Sequence, residues 1–258
     1  KKKPFCVFIY GNDIILNFAS VDRFKKRLVL TNANIIFCIS SFTKNYVIKQ
    51  GIPSNKIRIA YPGFAIEDFK FGNNRFTSPI TEKLCLKNKK VILTLGRLIE
   101  RKGQDTVIKA MPKIAKEVSD IVYVIVGDGP YEKELRRLTV EYGVEERVIF
   151  VGTMSVNERQ FYYDACDVFV MVNRELTNGD VEGFGIVFLE ANACGKPVIG
   201  GRSGGAPEAI IHSQTGLLVN PTDIDEVAQT IIYLLKNPDI ASSMGAKGRQ
   251  MVEGTFNW

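Results

Sequence analysis

The chain has 258 residues, 45% of them hydrophobic and 24% charged, the proportions of an ordinary soluble globular protein with room for one or two domains. Its longest apolar runs are too short to span a bilayer, and no leader-like stretch follows Lys1-Lys2-Lys3. Five scattered cysteines (Cys6, Cys38, Cys85, Cys166, Cys194) without a CxxC pair argue against disulfides and metal, and Cys6, Cys38 and Cys194, in or beside apolar runs, read as reduced core thiols of a cytoplasmic protein.

The net charge of +6 is unevenly spread: residues 1–90 hold 17 Lys/Arg and 5 Asp/Glu, whereas 91–258 hold 17 and 23. A basic first unit suits an anionic acceptor or a membrane surface, though a merely solvated basic face accounts for it as well. Nucleic acid is disfavoured, because aromatics do not interleave with the cations.

Taken in chain order, β-branched and apolar runs predict a strand at 5–10, a helix over 14–30, a strand at 35–39, a helix over 42–50 capped by Ser41 and stopped at Gly51, and a strand at 57–60. On the first helix, Lys25, Lys26 and Arg27 stand beside an apolar face of Ile14, Ile15, Phe18 and Val21, which suits either docking on anionic lipid or packing into a core. From 62 to 88 the periodicity is lost and Pro, Gly and Asn accumulate, as in a connection between domains. Strands then recur at 91–95, 121–126, 147–151, 168–172, 197–199 and 217–219, with helices near 104–117, 131–142, 156–164, 185–194 and 223–236. Repeated βα units require a parallel sheet covered on both faces, so the expectation is a doubly wound α/β domain over 89–258, preceded by a truncated Rossmann-like unit over 1–61.

In such sheets ligands collect beyond the carboxyl ends of the strands. There the sequence places a Gly-bounded cationic loop, Gly96-Arg97 to Arg101-Lys102-Gly103, whose fork and point charge suit a diphosphate. A weaker signal is Gly127-Asp128-Gly129-Pro130, a tight turn that would let a ligand lie against the sheet edge. Thr153 and Met154 would border the same cleft with their main chain, and Ser155 would cap the next helix. Glu182 and Glu190 lie eight residues apart across a helix start, roughly 2.2 turns, so both carboxylates can project to one side. A carboxylate inside that apolar helix is costly unless it binds something, and sugar or ribose hydroxyls fit. Gly183 and Gly185 leave the helix N-terminus bare for an anion. The turn Ser203-Gly204-Gly205-Ala206-Pro207-Glu208 marks another strand end, and His212, the one histidine, reads as structural. With a single histidine, Ser-His-Asp and Cys-His hydrolase chemistry is excluded within this chain.

These residues in this order (Gly96-Arg97, Lys102-Gly103, Glu182-x7-Glu190 within EGFGIVFLEA, SGGAPE at 203–208, Thr215-Gly216, and Tyr61-Pro62-Gly63 earlier) resemble the retaining glycosyltransferases of the GT-B fold, family four. The wording DVEGFGIVFLEANACGKPVIGG is similar to that of mannosyltransferases acting on phosphatidylinositol mannosides. The resemblance implies that Arg97 and Lys102 hold the donor diphosphate, Glu190 the ribose and Glu182 the transferred sugar. It also implies that the N–H groups of Phe184, Gly185 and Ile186 meet sugar and distal phosphate, and that the main chain of Thr153 and Met154 meets the base. Three departures stand out: Tyr10 occupies the place of a histidine in the family's HG turn, the family's N-terminal glycine-rich loop would precede Lys1, and its final return helix would follow Trp258.

The implied reaction moves a hexose of mannose or glucose type from a nucleoside diphosphate sugar to an acceptor hydroxyl, lipid-linked or on a saccharide, with retention. Neither a cofactor nor a metal is expected, since Arg97 and Lys102 replace a divalent cation and no acidic pair has ligand spacing. A cytoplasmic, peripherally membrane-bound enzyme is the implied setting. A nucleotide-dependent oxidoreductase is disfavoured because GxGxxG is missing. The other alternative is a non-catalytic module that binds a sugar nucleotide.

Overall fold

Two parallel sheets organise the chain in the computed structural model, which describes residues 3–11, 20–63, 65–69 and 78–256, with backbone alone at 20–23. The first sheet is three-stranded, in the order β1 (Cys6–Ile9), β2 (Ile35–Cys38), β3 (Ile57–Ile59). Helix α1 (Ser20–Asn32) links β1 to β2, and α2 (Ser41–Lys49) links β2 to β3. The cap of α2 is Ser40 rather than the expected Ser41: Ser40 Oγ accepts from the Thr43 N–H at 3.0 Å while Thr43 Oγ1 accepts from the Ser40 N–H at 3.1 Å. That reciprocal pair needs a hydroxyl three residues on, which Ser40 has in Thr43. Of the predicted apolar face of α1, Ile14, Ile15 and Phe18 lie outside the described residues, as does the side chain of Val21. Phe24 and Leu28 are exposed, at 69% and 55%.

The connecting stretch does not hang free. Ile66, Phe69, Ile80 and Leu86 enter the same core as the second sheet, and a short helix α3 (Pro79–Lys83) forms within it. That sheet has six strands in the order β6-β5-β4-β7-β8-β9, all parallel: β4 (Lys90–Leu95), β5 (Ile121–Val126), β6 (Val148–Gly152), β7 (Val168–Met171), β8 (Val198–Gly201) and β9 (Gly216–Val219). Both faces are covered, which is why β5 reads as an unbroken apolar run. The covering helices are α4 (Gln104–Glu117), α5 (Glu132–Glu141), α6 (Arg159–Ala165), α7 (Ile186–Ala193), the single turn α8 (Ala206–Ala209), α9 (Ile224–Lys236) and α10 (Pro238–Thr255). Helix α4 shows how the sequence does this: Val107, Ile108, Met111 and Ile114 recur at helical spacing and are all buried.

Strand order reverses between β4 and β7. At such a switch point the loops leaving the two strands turn to opposite faces and open a crevice between them. Helix α10 packs on α7 and delivers Phe256 to within 5.7 Å of Tyr61, ring centre to ring centre.

Candidate active site

The crevice is walled by the loops after β4 and β7, and its electrostatic centre is Glu182. Its Oε2 accepts from Lys102 Nζ and from an Arg101 guanidinium nitrogen, each at 2.6 Å. Burial alone would push this carboxyl up, yet the charges of Lys102 and Arg101 hold it at about 2. Arg101, which sequence reasoning did not single out from its cationic loop, has a side chain only 10% exposed. Its Nε lies 3.0 Å from Asp180 Oδ1, but both atoms lack hydrogen-bond geometry, so that contact is a charge pair alone. Arg97 is exposed at the mouth, and its side chain has no ion pair among the described residues. The Lys102 side chain runs past Gly96 toward the same mouth, about 4 Å from where a Cβ would stand.

Glu190 occupies a different setting. It is buried inside α7, with Oε1 taking Arg159 at 2.6 Å and Oε2 taking the Tyr163 hydroxyl at 2.7 Å. Burial pushes its carboxyl up, against the pull of Tyr163 and Arg159. Burial and the adjacent Glu190 charge push the Tyr163 phenol well up in turn. The two carboxylates have separate partners, Lys102 and Arg101 for Glu182 and Arg159 and Tyr163 for Glu190, and Glu182 precedes the helix that holds Glu190. Arg159 and Tyr163, four apart on one face of α6, were also missed; that spacing was the available signal.

Between the two carboxylates lies the start of α7. Gly185 has φ +89, in the left-handed region. The N–H groups of Phe184, Gly185 and Ile186 have no protein partner among the described residues, as expected for a helix N-terminus. Phe184 itself is buried and packs on Tyr61 and Phe256. Met154 is half-buried against the core at the end of β6, with Thr153 exposed beside it. That places them two strands from β4, roughly 10 Å along the mouth.

Two glycine motifs have a purpose the sequence did not reveal. A Cβ at Gly127 would stand 2.1 Å from the Gly96 carbonyl oxygen and one at Gly129 2.2 Å from that of Leu98. The turn thus lets the cationic loop lie directly on its backbone. In SGGAPE, the Gly205 N–H donates to the Glu182 carbonyl at 2.9 Å. Glu208 reaches across to the first unit, accepting from the Ser41 N–H at 2.6 Å, the Phe42 N–H at 2.9 Å and the Tyr61 hydroxyl at 3.2 Å. The first unit also meets Gly183, where a Cβ would lie 2.7 Å from the Tyr10 carbonyl oxygen. His212 is structural as expected: its Nδ1 accepts from the Leu218 N–H at 3.0 Å.

With this geometry in view, the comparisons with known proteins are informative. Residues 79–251 match the family described as glycosyl transferases group 1. Over 250 residues the chain is 36% identical to the GDP-mannose-dependent alpha-(1-6)-phosphatidylinositol monomannoside mannosyltransferase of Mycobacterium tuberculosis, covering 96% of this chain and 65% of that one. A GDP-mannose-dependent monoacylated alpha-(1-6)-phosphatidylinositol monomannoside mannosyltransferase of Corynebacterium glutamicum is 42% identical over 193 residues, 71% of this chain and 50% of that relative. Among solved structures, HepE of Anabaena in complex with UDP and glucose superposes with a TM-score of 0.87 at 25% identity, covering 99% of this chain and 68% of that one. The chain belongs to the group 1 glycosyl transferases, and its pair of parallel-sheet units is the GT-B architecture. It spans 65% of the length of the mycobacterial relative.

Proposed function

We propose that the protein transfers a hexose, mannose in particular, from a nucleoside diphosphate sugar to an acceptor hydroxyl with retention at the anomeric carbon. The observation that carries this reading is Glu182, pinned by Arg101 and Lys102 beside the bare N-terminus of α7 at the switch point. Loop order along the sheet supports a donor lying across its mouth, with the base against Thr153 and Met154 on β6, the diphosphate on Arg97 and Lys102 after β4, and the sugar at Glu182 after β7. Departure of the diphosphate builds negative charge, and two cations with a helix N-terminus stabilise it without reorganising water. The departing phosphate takes the proton of the attacking acceptor hydroxyl as the glycosidic bond to phosphate breaks and the new one forms. The mannosyl donor is favoured because the mycobacterial and corynebacterial relatives are GDP-mannose-dependent.

For the acceptor we propose a lipid-linked glycan met at an anionic membrane surface. Exposed Phe24 and Leu28 on α1 stand among Lys25, Lys26 and Arg27, of which Lys25 and Arg27 are exposed, a combination worth about 1 kcal/mol per cation at such a surface. No helix among the described residues is long and apolar enough to cross a membrane.

The test is direct. The full-length protein is screened by thermal shift against GDP-, UDP- and ADP-sugars, then assayed with the stabilising donor and phosphatidylinositol-based acceptors by mass spectrometry. A mannosylated lipid with GDP-mannose is the expected product; stabilisation by no sugar nucleotide would overturn the reading. Binding to anionic but not neutral vesicles, lost in a Lys25→Glu/Lys26→Glu/Arg27→Glu variant, is expected for the membrane part.

A further inference from the structure

Lys102 has two claims on it. In the structure its ammonium is spent on Glu182, yet the proposed function needs it on the donor diphosphate. Arg101 shares the same oxygen of Glu182 at the same 2.6 Å. The two cations differ in freedom. Lys102 carries a point charge on a four-carbon stem, and its side chain passes Gly96 toward the mouth. Arg101 is fixed at three places: an NH1 on Glu182, Nε beside Asp180, and a carbonyl oxygen accepting from the Arg174 N–H at 2.8 Å. Arg174 is itself clamped on Asp105, through NH1 at 2.8 Å and NH2 at 3.1 Å. The loop that carries Asp180 and Glu182 is therefore tied at both its ends to Arg101.

We infer that Arg101 is a positioning residue: it retains Glu182 in place when Lys102 leaves that carboxylate for the diphosphate. This inference rests on the donor-site reading above. Without Arg101, withdrawal of Lys102 would strand Glu182 as a buried carboxylate with no cation, at the position where the sugar must be held. With it, Asp180 and Glu182 keep one shared cation while the second moves by a rotation about its own stem. Arg101 touches neither phosphate nor sugar in this scheme, so its effect should be confined to steps that need Glu182.

The test compares Arg101→Gln, Arg101→Lys and Lys102→Ala in the full-length protein, measuring free GDP affinity by calorimetry and kcat with GDP-mannose, with thermal unfolding as a control on folding. Arg101→Gln should leave the Kd for free GDP within about threefold while kcat falls about 10- to 100-fold, the loss of one charge-assisted hydrogen bond. Arg101→Lys should recover part of kcat, because a single ammonium can hold Glu182 but does not also span to Asp180. Loss of GDP affinity in Arg101→Gln matching its loss of kcat would make Arg101 a phosphate ligand and overturn the inference; so would an unchanged kcat. Lys102→Ala separates the two readings, since it should weaken GDP directly. If it does not, the diphosphate clamp itself fails, whatever Arg101 does.

Discussion

Glu182 and Glu190 are the same residue type eight positions apart, yet the protein gives them opposite surroundings. Glu182 stands on a loop, where Lys102 and Arg101 overcome burial and keep it ionised. Glu190 stands within α7, where burial outweighs Tyr163 and Arg159 and the carboxyl titrates higher than usual. One is held by an ammonium and a guanidinium from the loop after β4, the other by a phenol and a guanidinium from α6. The difference shows how a single spaced motif divides labour: spacing sets where two carboxylates sit, and their neighbours set what each can do.

The largest expected effect tests that division at turnover. Glu182→Gln should lower kcat by about 10²- to 10³-fold, the loss typical of a preorganised electrostatic group, while free GDP binds nearly as before. A parent-like kcat would erase the distinction between the two sites.

Next comes stability in acid. The charges of Lys102 and Arg101 hold Glu182 down to about 2, from an ordinary carboxyl near 4.5, so its contribution is present above about pH 4.5 and lost as pH falls toward 2. Glu190 has the reverse sign: its raised value favours folding at low pH and costs stability as pH rises through it. Between about pH 6 and pH 3, denaturant unfolding of the parent should therefore lose about 2 kcal/mol more than that of Glu182→Gln. Equal losses would show that the cations do not hold Glu182 down.

Glu190→Gln should weaken free GDP by about 1–2 kcal/mol, with a smaller change in kcat at saturating donor. Calorimetry reads this; a larger effect on kcat than on Kd would exchange the roles of the two glutamates. The smallest effect is expected from chelation. If Arg97 and Lys102 supply the positive charge as proposed, EDTA should leave the rate of the full-length enzyme unchanged, whereas a rate restored only by Mg²⁺ or Mn²⁺ would overturn that role.

Much of this could be read in advance, for reasons that differ by element. The doubly wound sheet was legible because β5 and its neighbours are buried on both faces, and burial writes itself as apolar runs. That Glu182, Lys102 and Arg97 stand beyond strand ends at the switch point was legible, because glycines and a resembling family mark those ends. The partners of the glutamates were not. Arg159 and Tyr163 belong to another helix, and Asp180 looks like any loop acid; their roles depend on which elements fold side by side. The close packing of the Gly127-Asp128-Gly129 turn on the cationic loop was not legible, because a sequence does not show which neighbouring backbone needs that space.

Glu208 gives the arrangement of the two units a local reporter. The Ser41 and Phe42 amides lie in the first turn of α2, where no carbonyl of their own helix can reach them, and both donate to a carboxylate on the other unit. Their exchange with deuterated solvent is therefore slowed only while the two units touch. The Thr43 amide, bonded to Ser40 within the same turn, keeps its protection in either arrangement. The exchange rates of three consecutive amides thus report the contact between the two units together with an internal reference.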